Sequence, residues 1–178
     1  EIKPDFAMAY SNLGTILRDL GNLKEAEIFA RKAIKINPDS AEAHSNLGII
    51  LRDLGNLKEA ELSTRKAIEL KPDYAEAHSN LGGILNDLGN LQEAELSYRK
   101  AIQIKPDLAL AHYNLGNLLN ELGKSEEGEK SIVKCLKINE NNLNAKITLS
   151  SIKLHKGDNS LLNNLIQSVQ SNNPFLNS

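Results

Sequence analysis

A 34-residue period constrains this chain more than any other feature. The segment AEAHSNLGIILRDLGNLKEAE at 41–61 returns at 75–95 with Gly83 standing for Ile49, Asn86 for Arg52 and Gln92 for Lys58, and otherwise unchanged. The same frame fits 7–27 and 109–129, and Pro4, Pro38, Pro72, Pro106 and Pro174 lie on one grid, with Glu140 at the skipped position. Five units follow: 7–40, 41–74, 75–108, 109–142 and 143–176. A repeat of this length is one supersecondary element that buries its apolar face only against its neighbours, so the 178 residues form an array rather than separate domains.

Within a unit, counted from 1 to 34, positions 3, 7, 10, 11 and 14 are mainly apolar, which at about 100° per residue is one stripe of an amphipathic helix. This helix, A, ends at Gly21, Gly55, Gly89, Gly123 and Gly157, placed as left-handed terminators. Asn22, Asn56 and Asn90 come next, each three residues before Glu25, Glu59 or Glu93, which predicts a capping box at the start of a second helix, B. Helix B runs to the proline, and Asp39, Asp73 and Asp107 behind it are expected to cap the next helix A. Gly14, Gly48, Gly82 and Gly116 fall in register with Ala26, Ala60, Ala94 and Gly128 on helix B, and with Ala33, Ala67, Ala101 and Cys135 one turn further. A mid-helix glycine costs about 1 kcal/mol relative to alanine, so four in one register imply helices in close contact.

Leu and Gly at positions 7 and 8 (Leu47 and Gly48), Ala at 20 and 27 (Ala60 and Ala67) and Pro at 32 (Pro72) resemble the tetratricopeptide repeat family over nearly the whole chain. The resemblance implies an all-α fold, a right-handed superhelical α-solenoid of helix-turn-helix repeats whose A helices line a concave groove. Two positions depart from the family pattern. Position 4 holds Tyr10, His44, His78, His112 and Lys146 in place of Trp, and at position 24 only Tyr98 is aromatic. Units 7–40, 41–74, 75–108 and 109–142 match well. In the fifth, Ser150 replaces the glycine and Leu162 and Val169 the small residues, so 143–178 reads as a degenerate capping repeat with a tail; residues 1–6 read as the tail of a truncated upstream repeat.

On a helical wheel, positions 2, 6, 9 and 13 of helix A lie opposite the core stripe, with 5 and 12 beside them. Position 6 holds Asn12, Asn46, Asn80 and Asn114, then Thr148; position 13 holds Asp19, Asp53, Asp87 and Glu121, then His155. Position 9 varies through Thr15, Ile49, Gly83 and Asn117, position 2 carries Glu42 and Glu76, and Arg18 and Arg52 stand at position 12. These residues are the expected peptide-contacting set. A repeated asparagine offers a donor and an acceptor at every step to a peptide backbone, while its variable neighbours read side chains. The column resembles the asparagine ladder in the repeat arm of O-linked N-acetylglucosamine transferase, which implies an extended polypeptide held inside the superhelix. A competing reading has the amides bonding one another or the backbone.

The acidic row at position 13 opposes the helix dipole, at about 0.3–1 kcal/mol each. It reads either as ligand contact or as one side of ion pairs with Arg18, Arg52 or helix B lysines. Six groove carboxylates, counting Glu42 and Glu76, against two arginines argue against the carboxylate-clamp subfamily, which holds acidic tails with basic residues. The same balance argues against an RNA reader of similar period, which needs a basic groove.

A net charge of -2 and a pI near 6.1, with no run of Lys or Arg, give no general attraction to nucleic acid or anionic lipid. No apolar stretch approaches the roughly 20 residues of a membrane span, and the N-terminus lacks a signal-peptide layout. Cys135, the only cysteine, excludes an internal disulfide. A cytoplasmic location follows as the expectation. His44, His78 and His112 sit in equivalent places of stacked units, about 10 Å apart, too far to share a zinc ion bound at about 2.0–2.1 Å, so they are expected at the edge of the core. No nucleophile, base and orienting group come together, no phosphate loop is present, and neither metal nor cofactor is expected.

The expected function is that of a non-catalytic scaffold for protein–protein interaction, binding a polypeptide in its groove. A second expectation is the substrate-recognition arm of a larger sulfo-, glycosyl- or methyltransferase, because bacterial arrays that resemble this one precede such domains. The first unit, with Ala9, Tyr10 and Leu17 on its outer flank, is further expected to support weak self-association.

Overall fold

The computed structural model describes residues 4–155 and Gly157. Among them nine helices alternate between the two types: α1 (Pro4–Asp19), α2 (Leu23–Ile36), α3 (Ala41–Asp53), α4 (Leu57–Leu70), α5 (Ala75–Asp87), α6 (Leu91–Ile104), α7 (Ala109–Glu121), α8 (Ser125–Ile138) and α9 (Leu143–His155). Each odd helix is an A helix, and α1, α3, α5 and α7 each pack antiparallel on the B helix that follows. The fold is an all-α solenoid. Leu162 and Val169, on which the capping role of the fifth unit rests, lie outside the described residues.

Helix A stops where the glycine allows it to. The Gly55 N–H donates to the Arg52 carbonyl at 2.9 Å and the Asn56 N–H to the Leu51 carbonyl at 2.8 Å, a Schellman closure with Gly55 at φ +81°. Two expectations about helix starts fail. Asn22, Asn56 and Asn90 hold the N-cap positions, but their side chains make no capping bond, because ψ near 60° takes the backbone out of the extended region from which a side chain reaches back. The caps of α3, α5 and α7 are Ser40, Tyr74 and Leu108, one residue after the aspartates; of these only Ser40 accepts a side-chain bond, from the Ala43 N–H at 3.2 Å.

The small-residue register is confirmed in part. Gly14 approaches the Ala26 backbone, and a Cβ on it would stand 3.2 Å from the Ala26 carbonyl oxygen. The side chain laid over each glycine comes from position 24: Ala30 on Gly14, Thr64 on Gly48, Tyr98 on Gly82, Ile132 on Gly116. Position 27 serves a different contact. Cys135 is fully buried in a cluster with Ile132 and Ala145 that joins α8 to the next A helix, and burial pushes its thiol pKa up. The histidines at position 4 tie each A helix to the turn before it. His44, His78 and His112 place Nε2 at 2.8, 2.9 and 3.0 Å from the Pro38, Pro72 and Pro106 carbonyl oxygens, as donors.

The core runs continuously across units. Ile50, Leu51 and Ile84 share one cluster with Ala26, Ala30 and Ala60, while Leu85 joins Leu115, Leu118, Leu119 and Tyr98 in the next. Of the three residues expected on the outer flank of the first unit, Ala9 is exposed, whereas Leu17 packs into the first cluster and Tyr10 stacks on Phe29 at 5.7 Å; the large apolar groups left exposed on α1 are Phe6, Met8, Ile16 and Leu20.

Successive A helices touch directly, α1 on α3, α3 on α5 and α5 on α7, whereas no B helix packs on another B helix to that extent. The A layer therefore lines the inside of the curve. Long side chains bridge the splayed outer layer: Arg31 to Glu59 at 2.6 Å, Arg65 to Glu93 at 2.5 Å and Arg99 to Glu127 at 2.7 Å. Glu95 is the best shielded acid of this layer, and hydrogen bonds from Lys124 and Arg99 hold its carboxyl below the usual range. A depressed folded pKa contributes stability above the unfolded value, near 4.5, and loses it as pH falls through the folded value. Glu95→Gln should accordingly lower the urea midpoint at pH 7 and have a smaller effect as the pH is lowered through the acid range, at pH 3 for example. An equal effect at both values would assign the loss to packing instead.

Candidate functional site

The inner face presents the residues that sequence periodicity groups there, but most of them are already engaged with each other. Asn46 Nδ2 donates to Ser11 Oγ at 3.0 Å and Asn80 Nδ2 to Ser45 Oγ at 3.1 Å, each asparagine reaching back to the A helix of the preceding unit. Ser11 and Ser45 are buried at position 5, so the pin is set below the surface while Asn46 and Asn80 stay half-buried and Asn12 exposed. An amide carries two N–H donors and one oxygen acceptor. One donor is used, and the other donor and the oxygen are left. At the next step Ser79 Oγ is buried without a partner, and Asn114 makes no such bond.

The carboxylates follow the same inter-unit logic. Arg18 Nε donates to Asp53 Oδ2 at 2.5 Å; Arg52 Nε and Nη2 hold Asp87 at 2.5 and 3.1 Å, and the hydrogen bond to Asp87 raises the Arg52 pKa. Gly83 makes the two-point contact possible. A Cβ there would stand 2.7 Å from Arg52 Nη1, so the guanidinium packs against the glycine, while Arg18, in whose register the next unit carries Ile49 instead of glycine, makes the single bond. Glu42 pairs with Lys71 at 3.6 Å and Glu76 with Lys105 at 2.9 Å, the latter bond lowering the Glu76 pKa. With Asp19, 3.6 Å from its own neighbour Arg18, five of the six groove carboxylates have a cation within ion-pair distance. Glu121 is exposed with no ion-pair partner among the described residues.

At the end of the described groove a cleft of about 500 Å³ opens between α7 and α9, lined by Asn117, Asn120, Ser125, Thr148, Ser151 and His155. Asn120 Oδ1 is buried there without a partner, pressed against Gly128. The remaining position 9 residues, Thr15, Ile49 and Asn117, are half-buried between the asparagine and acidic columns. Sequence reasoning missed Ser11, Ser45, Lys71 and Lys105 as groove partners. The serine was available as a signal, since position 5 repeats through three units. Among the described residues no group of three His, Cys, Asp or Glu side chains is placed to hold a metal ion, and no helix is long and apolar enough to cross a membrane.

Comparison with known proteins agrees with the architecture. Family profiles described as tetratricopeptide repeat match residues 5–73 and 109–142, and one described as TPR repeat matches 82–123. The chain belongs to the tetratricopeptide repeat family, and as such it is a protein-interaction scaffold. No match was found among the curated proteins. Among solved structures it is similar to PilF of Pseudomonas aeruginosa, with 26% identity, a TM-score of 0.81 and coverage of 86% of this chain and 70% of that one. TTC0263, a thermophilic TPR protein of Thermus thermophilus, superposes with a TM-score of 0.77 at 22% identity, covering 85% and 84% of the two chains. MamA of Desulfovibrio magneticus gives 0.73 at 20% identity and 94% of both. The last two likenesses are of fold.

Proposed function

We propose that this scaffold binds an extended polypeptide along the inner face, its backbone bonded by the asparagine column. The observation that supports this reading is the pinning of Asn46 and Asn80. Each amide is oriented by a buried serine of the previous unit and still has one N–H and its carbonyl oxygen uncommitted, the pair of groups that a peptide unit requires. Pre-orientation reduces the entropy lost on binding, since the rotamer is already fixed. Spacing supports it as well. Packed helices lie about 8–10 Å apart, and an extended chain advances about 3.3–3.6 Å per residue, so one unit meets every third residue of the ligand.

A peptide array read with the 178-residue chain tests the proposal. Asn46→Ala combined with Asn80→Ala should weaken the selected peptides on the order of tenfold or more, two bonds being lost. Leu62→Ser, on the exposed outer face of α4, should leave binding intact. Absence of any peptide preference, or a preference that survives the asparagine double substitution in a folded protein, would remove the groove reading.

A further inference from the structure

The arginine rungs of the groove stop one step short of its acids. Arg18 reaches Asp53 and Arg52 reaches Asp87, each across 35 residues to the next A helix. The third pair in this register is Asn86 and Glu121, and it does not form. An asparagine side chain is shorter than an arginine by about three bonds, and Asn86 makes no bond to Glu121. One accessible acceptor is left over at this step. Glu121 is an exposed carboxylate without an ion-pair partner among the described residues, and Asn86 Oδ1 is buried with no hydrogen-bond partner at all.

We propose that this third step is a specificity site for the guanidinium of an arginine carried by the bound polypeptide. The proposal rests on the groove reading given above and names the ligand side chain that reading leaves open. Its template lies in the same molecule, since the two upstream steps hold a guanidinium against the carboxylate of the next A helix. A guanidinium brings five donors and no acceptor, which suits a step where the exposed unpaired group is a carboxylate. Lysine offers a point charge without the planar fork that closes on Asp87 at two points, so arginine is preferred. Repulsion from the groove's own arginines is small, because Asp53 and Asp87 neutralise both. At about three ligand residues per unit, a single arginine is read at one register rather than anywhere along the groove.

The test is an array of unstructured 12-residue peptides in which each parent sequence is matched by versions carrying Arg, Lys or Glu at single positions. It is read with the 178-residue chain, with Glu121→Gln and with Asn86→Arg. Asn86→Arg supplies the missing rung from within and changes only the third step, so the protein stays folded with a melting temperature at or above the parent's. The expected result is a preference on the order of tenfold for Arg over Glu at one register, with Lys between them. That preference disappears in both variants, while Asn86→Arg keeps the binding of the neutral parent peptides. Equal binding of Arg, Lys and Glu versions, or an arginine preference that survives Asn86→Arg, would overturn the inference and leave the groove reading standing. Failure of every peptide to bind, neutral parents included, would overturn both.

Discussion

Tyr98→Ala is expected to lower the unfolding free energy by about 3–5 kcal/mol, the range for removing a large buried aromatic side chain. The ring is 3% exposed, belongs to the cluster that joins α5, α6 and α7, and covers the glycine face of α5. Burial also raises its phenol pKa to about 12, so the group stays neutral over the whole range in which the protein would be studied. The partner of the ring is Gly82, where a Cβ would stand 2.7 Å from Cδ1 and Cε1. Gly82→Ala should therefore be destabilising, although alanine is the better helix former by about 1 kcal/mol, because the buried ring has to move. Combined with Tyr98→Ala, the residue type that covers the equivalent Gly14, where a Cβ would stand 3.7 Å from the Ala30 Cβ, the glycine substitution should cost less than it does alone. Urea unfolding of the four proteins gives the coupling. Strict additivity would mean that the two positions do not contend for one space.

The same contact marks the limit of what periodicity discloses. Gly82 stands out in the sequence because it recurs every 34 residues inside a helix, and its partner does not, because position 24 runs through Ala30, Thr64, Tyr98 and Ile132. A conserved backbone approach with a variable filler leaves a pattern in only one of its two members. Among the described residues the alternation of A and B helices and the left-handed glycines were legible for the opposite reason, each being imposed on every unit alike. Capping was misread. Asn and Glu sit at the spacing of a capping box, yet the Schellman closure of helix A sets the asparagine backbone at a ψ that no composition rule anticipates.

In the groove, the amide column and the acidic row could be placed on one face from the period alone. Which acids are free could not. Pairing follows a 35-residue offset between Arg at position 12 and Asp at position 13 of the next unit, so it depends on how the units are rotated against each other. The wheel of a single helix carries no such information. Five carboxylates that look available in the sequence have a cation beside them in the structure, and the vacancy at Glu121 is visible only against the two filled rungs.

Ile84→Ala combined with Leu85→Ala is expected to split the unfolding of the array. Both side chains are fully buried and adjacent in α5, but they serve different interfaces: Ile84 packs with Ile50, Leu51 and Ala60 of the second unit, and Leu85 with Leu115, Leu118 and Leu119 of the fourth. Either substitution alone should cost about 2–5 kcal/mol through lost burial and the cavity left behind. Because the two share no cluster, the losses should nearly add, to about 4–10 kcal/mol. That total falls on the third unit, through which all coupling between the ends has to pass, since each unit of a solenoid contacts only its neighbours. Urea titration should then show either two transitions or one with a clearly smaller slope, as less surface is exposed per cooperative step. Each single variant should keep one transition at a lower midpoint. A double variant that unfolds in one step with the parental slope, no less stable than the weaker single, would show that the third unit is not the link between the halves.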